Sequence, residues 1–289
     1  MFVSLKKIFN KLFVGGNWYV GIRKHSHNSN MIYDIVEAPD SQWIADPFLY
    51  EFEGRHFLFV EQYFEKKHRA GIGVYEIENG ISTHNKIIIE NDYHMSYPCV
   101  FYYKGNHYII PESSANNTID LYIADSFPYK WSHMATLLSG EKYVDSTVYI
   151  DNERILLLSY KSEKHGWKLV VFNLNIEECR LTNLCEKAYL KNTGRPAGFL
   201  YHADKLYRPS QDCSNKYGEG LIINEVDKIE KGNYSEHRST YISYKDVKSP
   251  IDIQRIHTLN RDSQYEVVDF FKEKIDIFHA FRIIKRAYL

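Results

Sequence analysis

The stretch Ala45-Asp46-Pro47-Phe48-Leu49, followed by Gly54 and then by Phe57-Leu58-Phe59-Val60-Glu61, carries the pattern on which the fold is predicted. A polar residue and a proline precede one apolar run, a glycine marks a turn, and a second apolar run ends in a carboxylate. Short apolar and aromatic runs bounded by Gly or Pro are typical of β-strands. The stretch therefore predicts a hairpin whose two strands carry polar groups at one end.

The same pattern returns three more times, over residues 96–112, 145–159 and 194–211, and in a weaker form over residues 256–269. Its anchor residues are spaced by 51, 48, 50 and 62 positions: Pro47, Pro98, Ser146, Pro196 and Thr258. About 50 residues with four short strands is typical of one propeller blade. The sequence therefore predicts an all-β, five-bladed β-propeller over residues 17–289. The alternative is a β-sandwich in which the repeated pattern arises by chance, and five copies at similar spacing favour the propeller.

The composition of the chain favours β-structure and argues against some partners and compartments. The chain has 289 residues, 44% of them hydrophobic, and its 15% aromatic content favours β-structure. The net charge is −1 with no long basic stripe, which makes nucleic acid an unexpected partner. Four cysteines without metal-site spacing (Cys99, Cys179, Cys185 and Cys213) indicate thiols in a reducing compartment. With no apolar run of about 18 residues, we expect a cytoplasmic protein, and we expect neither a cofactor nor a metal.

The two ends of the chain carry separate predictions. Residues 4–13 place apolar side chains at helical spacing opposite lysines, so residues 1–16 are predicted to form a short amphipathic basic helix. Such a helix either packs over the propeller or lies peripherally on an anionic inner membrane surface. Residues 18–22 are a predicted strand. We expect this strand to complete one blade with the last copy of the repeat, which would close the ring.

Blade geometry predicts where the polar residues meet. The residue at the start of each innermost strand should point to the central channel, so one mouth should be ringed by Asp46, Tyr97, Asp145, Arg195 and His257. The polar ends of the second strands should form the next shell: Glu61, Glu112, Ser159 and Gln211. Several carboxylates from separate blades would then converge on one site.

Six phrases carry a family resemblance: Ala45-Asp46-Pro47-Phe48, His94-Met95-Ser96-Tyr97-Pro98, Pro111-Glu112-Ser113, Phe127-Pro128-Tyr129-Lys130-Trp131, Gly194-Arg195-Pro196 and Ser210-Gln211-Asp212-Cys213. Together they resemble the propeller domain at the N-terminus of plant glucosamine inositolphosphorylceramide transferases and in bacterial surface-polysaccharide proteins. The resemblance spans about residues 17–270. The group is more distantly similar to five-bladed glycoside hydrolases of families 43, 32 and 130.

The resemblance to the hydrolases implies that Asp46 is a base or nucleophile and that a glutamate is the general acid. The second blade departs from the hydrolase pattern, because Ser96-Tyr97-Pro98 stands where those enzymes usually carry another aspartate. The resemblance also implies a separate transferase domain in the plant proteins, and we expect none within residues 1–289.

Glycosidic chemistry requires a carboxylate that activates the attacking hydroxyl or water, and often an acid for the departing oxygen. The catalytic candidates are Asp46, Glu112 and Asp145. The substrate-binding candidates are Glu61, His94, Tyr97, Arg195, Arg208, Gln211, Asp212 and His257. Arg195, Arg208, Arg255 and His257 would suit a phosphate.

The family resemblance, the charged mouth of the channel and the missing second aspartate together imply a glycosyltransferase-type enzyme of surface-polysaccharide or glycolipid assembly, with Asp46 as the base. Its expected partners are a carbohydrate substrate, a nucleotide sugar or a lipid-linked glycan. Two alternatives stay open at this point. One is a glycoside hydrolase or phosphorylase, and the other is a non-catalytic propeller that binds carbohydrate for a partner transferase.

Overall fold

A computed structural model of the chain describes residues 14–24 and 31–275. These residues form 22 strands: β1 (Val14–Lys24), β2 (Met31–Ile32), β3 (Asp34–Val36), β4 (Gln42–Phe52), β5 (Arg55–Phe64), β6 (Arg69–Glu78), β7 (Ile81–Ile89), β8 (Ser96–Tyr103), β9 (Asn106–Ser113), β10 (Thr118–Ser126), β11 (Lys130–Ser139), β12 (Val144–Asp151), β13 (Arg154–Glu163), β14 (Gly166–Asn175), β15 (Arg180–Tyr189), β16 (Tyr201–His202), β17 (Leu206–Asp212), β18 (Gly220–Glu230), β19 (Asn233–Ser243), β20 (Val247–Lys248), β21 (Leu259–Arg261) and β22 (Tyr265–Ile275). Two single-turn 3-10 helices cover Ser114–Asn116 and Tyr244–Asp246.

Five four-stranded antiparallel sheets confirm the predicted five blades. From the innermost strand outward, blade 1 is β4-β5-β6-β7, blade 2 is β8-β9-β10-β11 and blade 3 is β12-β13-β14-β15. Blade 4 is β16-β17-β18-β19, and blade 5 is β21-β22-β1-β3. A short parallel pair, β2 with β20, joins the β1–β3 connection within blade 5 to the connection between blades 4 and 5.

Blade 5 is built from both ends of the chain, as the sequence predicted. The N-terminal strand β1 pairs antiparallel with β22 over eleven positions, from Val14 opposite Ile275 to Lys24 opposite Tyr265. On its other side β1 pairs with β3. This closure gives hydrogen-bond partners to strand edges that an open ring would expose.

The predicted N-terminal helix does not agree with the structure where the two can be compared. Residues 14–16, which were assigned to the end of the helix, are the first residues of β1. The predicted helical residues 4–13 lie outside the described residues. Within the described part of the chain, no helix is long and apolar enough to cross a membrane.

The core lies between neighbouring blades. A large cluster joins blades 1, 2 and 3, with Phe48 and Phe59 packed together with Cys99 and Ile109. Val20 of β1 belongs to a second cluster, between blade 5 and blade 1. Aromatic side chains bury large apolar areas, so the high aromatic content fills the spaces between the blades.

Candidate active site

The innermost strands of blades 1, 2 and 3 share one irregularity near the axis. Each strand has a register shift at the same place in the repeat, between Ala45 and Phe48 in blade 1 and at the matching positions of blades 2 and 3. Inside each shift one residue adopts left-handed backbone: Asp46 (φ 47°), Tyr97 (φ 47°) and Asp145 (φ 50°). Bulges re-aim a side chain, and left-handed non-glycine residues concentrate at functional sites. The repeat thus places three equivalent residues at one end of the axis.

Asp46 lies at the bottom of this mouth and is 5% exposed. Its carboxylate accepts hydrogen bonds from the Tyr97 backbone N–H at 3.2 Å and from the Thr258 hydroxyl at 3.0 Å. Burial raises the pKa of Asp46 to about 8, and the nearby His257 imidazole acts in the opposite direction. A carboxyl group that changes charge near neutral pH suits proton transfer.

Asp145 occupies the equivalent position in blade 3 and is bonded to Arg195. The Arg195 Nε donates to Asp145, and its Nη2 lies 3.2 Å from Asp145 Oδ1 and 3.5 Å from Glu112 Oε2. Gln211 donates to Asp145 at 2.7 Å, and the Asp145 backbone N–H donates to Glu112 at 3.2 Å. Burial raises the pKa of Asp145 to about 7, although the Arg195 guanidinium acts to lower it. The structure therefore brings the predicted pair Glu112 and Asp145 together around one cation.

Tyr97 lies across the axis beneath the two aspartates. Its hydroxyl is 2.8 Å from the Thr147 hydroxyl and accepts from the Gly198 backbone N–H at 2.7 Å. The ring is fully buried and contacts Phe48 edge-on. The Tyr97 side chain, which was predicted to bind substrate, instead joins blade 2 to blade 3 and to the connection that leads into blade 4. Its backbone N–H orients Asp46.

His257 of blade 5 is the fourth member of the mouth, and it is held by residues that the sequence analysis did not select. Its Nδ1 is 2.5 Å from Asp269 Oδ2, and its Nε2 is 3.7 Å from Asp46 Oδ1. The Trp18 indole stacks on the imidazole with centroids 3.9 Å apart. Asp269 ends the second apolar run of the fifth repeat, as Glu61 does in the first. The repeat itself could therefore have identified Asp269.

A second histidine–carboxylate pair and several aromatic rings lie close to these groups. His94 Nε2 lies 3.1 Å from the buried Glu61. Burial acts to lower the pKa of His94, but Glu61 outweighs it, so this pKa lies above its ordinary value. Trp43 and Tyr63 stack at 4.5 Å, and the Tyr63 ring lies 6.2 Å from the His94 ring. Tyr217, which is 39% exposed, packs edge-on against His257. Such rings could pack against a sugar.

A family model described as "Glucosamine inositolphosphorylceramide transferase 1, N-terminal" matches residues 34–266. The chain belongs to this family. Glucosamine inositolphosphorylceramide transferase 1 of Oryza sativa subsp. indica is 28% identical over 215 residues, which are 68% of this chain and 28% of the rice protein. The chain thus spans little more than a quarter of its relative's length.

Solved glycoside hydrolases share the fold of this family member. An α-L-arabinofuranosidase from Podospora anserina, solved with cellotriose, has a TM-score of 0.60 at 12% identity, over 81% of this chain and 91% of the enzyme. A family 32 β-fructofuranosidase from Bombyx mori has a TM-score of 0.55 at 11% identity, over 76% of this chain and 56% of the enzyme. At such low identity the likeness shows the fold alone.

Two predicted substrate-binding residues lie away from the mouth in this family member. Arg208 is fully buried, with its guanidinium 2.7 Å from Glu236 Oε1 and 3.1 Å from both the Tyr234 hydroxyl and the Gly194 carbonyl. Strand alternation explains the error, because Arg208 and Gln211 are an odd number of residues apart and face opposite sides of β17. Asp212 accepts from Ser214 N–H and Oγ and so shapes a local turn.

Three clusters in the described residues combine a histidine with two carboxylates. They are Asp46–His257–Asp269, Glu51–His56–Asp262 and Glu225–Asp227–His237. In each cluster an imidazole nitrogen already faces a carboxylate oxygen, at 2.5, 2.7 and 3.1 Å. A nitrogen that donates a proton to a carboxylate cannot offer the same lone pair to a metal, so these nitrogens are engaged in histidine–carboxylate contacts.

Proposed function

We propose that this propeller is a carbohydrate-active enzyme of the glycosyltransferase type. One observation carries the proposal: two buried aspartates, Asp46 and Asp145, share the mouth of the axis, and burial raises their pKa values to about 8 and about 7. Buried carboxyl groups that titrate near neutral pH are characteristic of acid–base sites. Family membership and the hydrolase-like fold add support, since both point to carbohydrate.

In the proposed reaction Asp46, in its ionised form, takes the proton of an acceptor hydroxyl. The acceptor oxygen forms a bond to the anomeric carbon of the donor sugar, while the bond from that carbon to the leaving oxygen breaks. The leaving oxygen keeps the electron pair, and Arg195 at the rim stabilises its negative charge. We propose an oligosaccharide or lipid-linked glycan of surface-polysaccharide or glycolipid assembly as the acceptor, and a cytoplasmic protein whose residues 4–13 contact the inner membrane surface.

The second candidate is a glycoside hydrolase or phosphorylase, and one feature of the charges favours the hydrolase. Each cation that the sequence offered for a phosphate is already bonded to a carboxylate: Arg195 to Asp145, Arg208 to Glu236, Arg255 to Glu273 and His257 to Asp269. The phosphates of a nucleotide sugar would have to compete with these carboxylates. A neutral glycan would not.

The test compares the wild-type chain with Asp46→Asn and with Asp212→Asn as the matched control. Each is incubated with nucleotide sugars plus oligosaccharide or lipid-linked acceptors, and separately with oligosaccharides and inorganic phosphate alone. Sugar transferred to the acceptor, lost in Asp46→Asn and kept in Asp212→Asn, supports the proposal. Release of free sugar or sugar phosphate supports the second candidate. Glycan binding without turnover in either variant or the wild type would leave only a binding role.

The direction of the pH dependence separates the possible roles of Asp46. A base must be ionised, so transfer should increase as pH rises through about 8. A general acid must be protonated, so activity would instead decrease over the same interval. A decrease that Asp46→Asn abolishes would reverse the assignment.

A further inference from the structure

The pair Asp269 and His257 is constructed around a positive charge. Asp269 accepts backbone N–H bonds from His257 at 3.0 Å, Thr258 at 2.9 Å and Asp46 at 3.1 Å. The His257 Nδ1 is a fourth donor at 2.5 Å. Four donors match a carboxylate, which only accepts. Because Asp269 is fully buried, it requires a counter-charge close by, and the imidazole of His257 supplies it.

Aromatic rings exclude water from this pair. Trp18 lies parallel to the His257 imidazole, with a 10° angle between the planes, and Tyr217 meets the imidazole edge-on at 5.0 Å. The stacked indole also favours a cationic partner. Gly218 holds the Tyr217 loop against Trp18 with φ +67°, and an added Cβ would lie 3.1 Å from the indole. The charge of His257 therefore acts in a dry environment, where electrostatic interactions are strong.

The same imidazole faces Asp46. The distance from Nε2 to Asp46 Oδ1 is 3.7 Å. Three carboxylates, Glu61, Asp145 and Asp269, also act on Asp46, and His94 is a second histidine that interacts with it. These carboxylates and burial oppose ionisation of Asp46, whereas His257 favours it. Asp269 and Asp46, with a smaller effect of Asp145, keep the pKa of His257 above its ordinary value, although burial acts to lower it.

We propose that Asp269 and His257 are positioning residues that make Asp46 the proton acceptor of the site, and that Trp18 of the N-terminal strand completes this arrangement. The inference rests on the proposed function, since it explains how a deeply buried aspartate can serve as a base. It also links ring closure to chemistry, because Trp18 and Asp269 lie on the two strands, β1 and β22, that join the chain ends.

The test is an NMR titration of the full chain, following the His257 ring carbon and the Asp46 carboxyl carbon, and it requires no substrate. In the wild type we expect His257 to titrate above its ordinary value near 6.5. Asp269→Asn should lower that midpoint by at least about one pH unit, a tenfold loss in proton affinity. In the same variant Asp46 should titrate at a higher pH than in the wild type, because the loss of the His257 charge outweighs the loss of the smaller direct repulsion between Asp269 and Asp46.

The matched control is Asp227→Asn, which removes the carboxylate from an exposed pair with His237 at 3.1 Å and should leave both midpoints unchanged. If Asp269→Asn does not fold, His257→Gln tests the same link through the Asp46 carboxyl carbon. A wild-type His257 that titrates at or below 6.5, or an Asp46 midpoint unmoved by both variants, would overturn the proposal. Since neither measurement uses turnover, the pair can be established even if the proposed transfer reaction is not found.

Discussion

Closure of the ring by β1 leads to the sharpest stability prediction. Removal of residues 1–24 deletes the strand that pairs with β22 over eleven positions and also leaves β3 without its partner. It exposes the surfaces buried by Trp18, Val20 and Ile22. A fully buried Val or Ile contributes about 1.5–3 kcal/mol, and the total stability of a domain is only about 5–15 kcal/mol. The truncated chain should therefore unfold or aggregate.

Two controls separate closure from simple shortening. Removal of residues 1–13 leaves β1 whole, so that chain should unfold cooperatively like the wild type. Within β1, Ile22→Ala removes a buried side chain and should cost about 2–5 kcal/mol. Lys24→Ala, at an exposed position of the same strand, should change stability by less than about 0.5 kcal/mol.

The assay is guanidinium denaturation followed by far-UV circular dichroism, with the free energy of unfolding obtained by linear extrapolation. The expected order of stability is wild type, Lys24→Ala and the chain lacking residues 1–13 together, then Ile22→Ala well below them. A cooperative transition for the chain lacking residues 1–24, at the midpoint of the chain lacking residues 1–13, would refute the role assigned to β1.

Three further predictions concern buried polar groups. Asp46→Asn offers one acceptor and one donor to Tyr97 and Thr258, the two hydrogen-bond partners of Asp46. In the wild type the pKa of this carboxyl is about 8 in the folded state against an ordinary 3.8, so the free energy of unfolding decreases as pH rises between these two values. The variant should therefore gain stability relative to the wild type between about pH 4 and 8 in urea denaturation, and a constant difference would contradict this. Glu236→Gln leaves Arg208 buried without its charge partner and should cost about 3–5 kcal/mol at pH 7. Because the pKa of Glu236 is lowered to about 2 by Arg208 against the effect of burial, this cost should shrink as pH falls from about 4.5 towards 2, and a pH-independent cost would argue against the ion pair. Tyr97→Phe removes the hydroxyl that accepts from the Gly198 N–H, and should cost about 1–3 kcal/mol in thermal or chemical unfolding; an unchanged stability would mean that this bond contributes nothing.

The sequence by itself determined the architecture. Copies of one hairpin at intervals near 50 residues require repeated blades, since strand length, turn residues and apolar alternation are all local properties. The same period identified the equivalent positions of Asp46, Tyr97 and Asp145. The joining of both chain ends in blade 5 also followed from the repeat, because a ring with an incomplete last blade can close only with a strand from the N-terminus.

Only the tertiary structure decided what each equivalent side chain does. Asp46 meets His257 across 211 positions of the chain, and Trp18 covers that imidazole from β1. Tyr97 stands where the hydrolase pattern has an acid, yet its hydroxyl reaches across the axis to blade 3 and to the connection that leads into blade 4. Arg208 was predicted to be one of the cations at the mouth, but its guanidinium is buried within the blade and donates to Glu236. These partners depend on how five blades close around one axis, and a pattern of neighbouring residues does not record which side chains meet there.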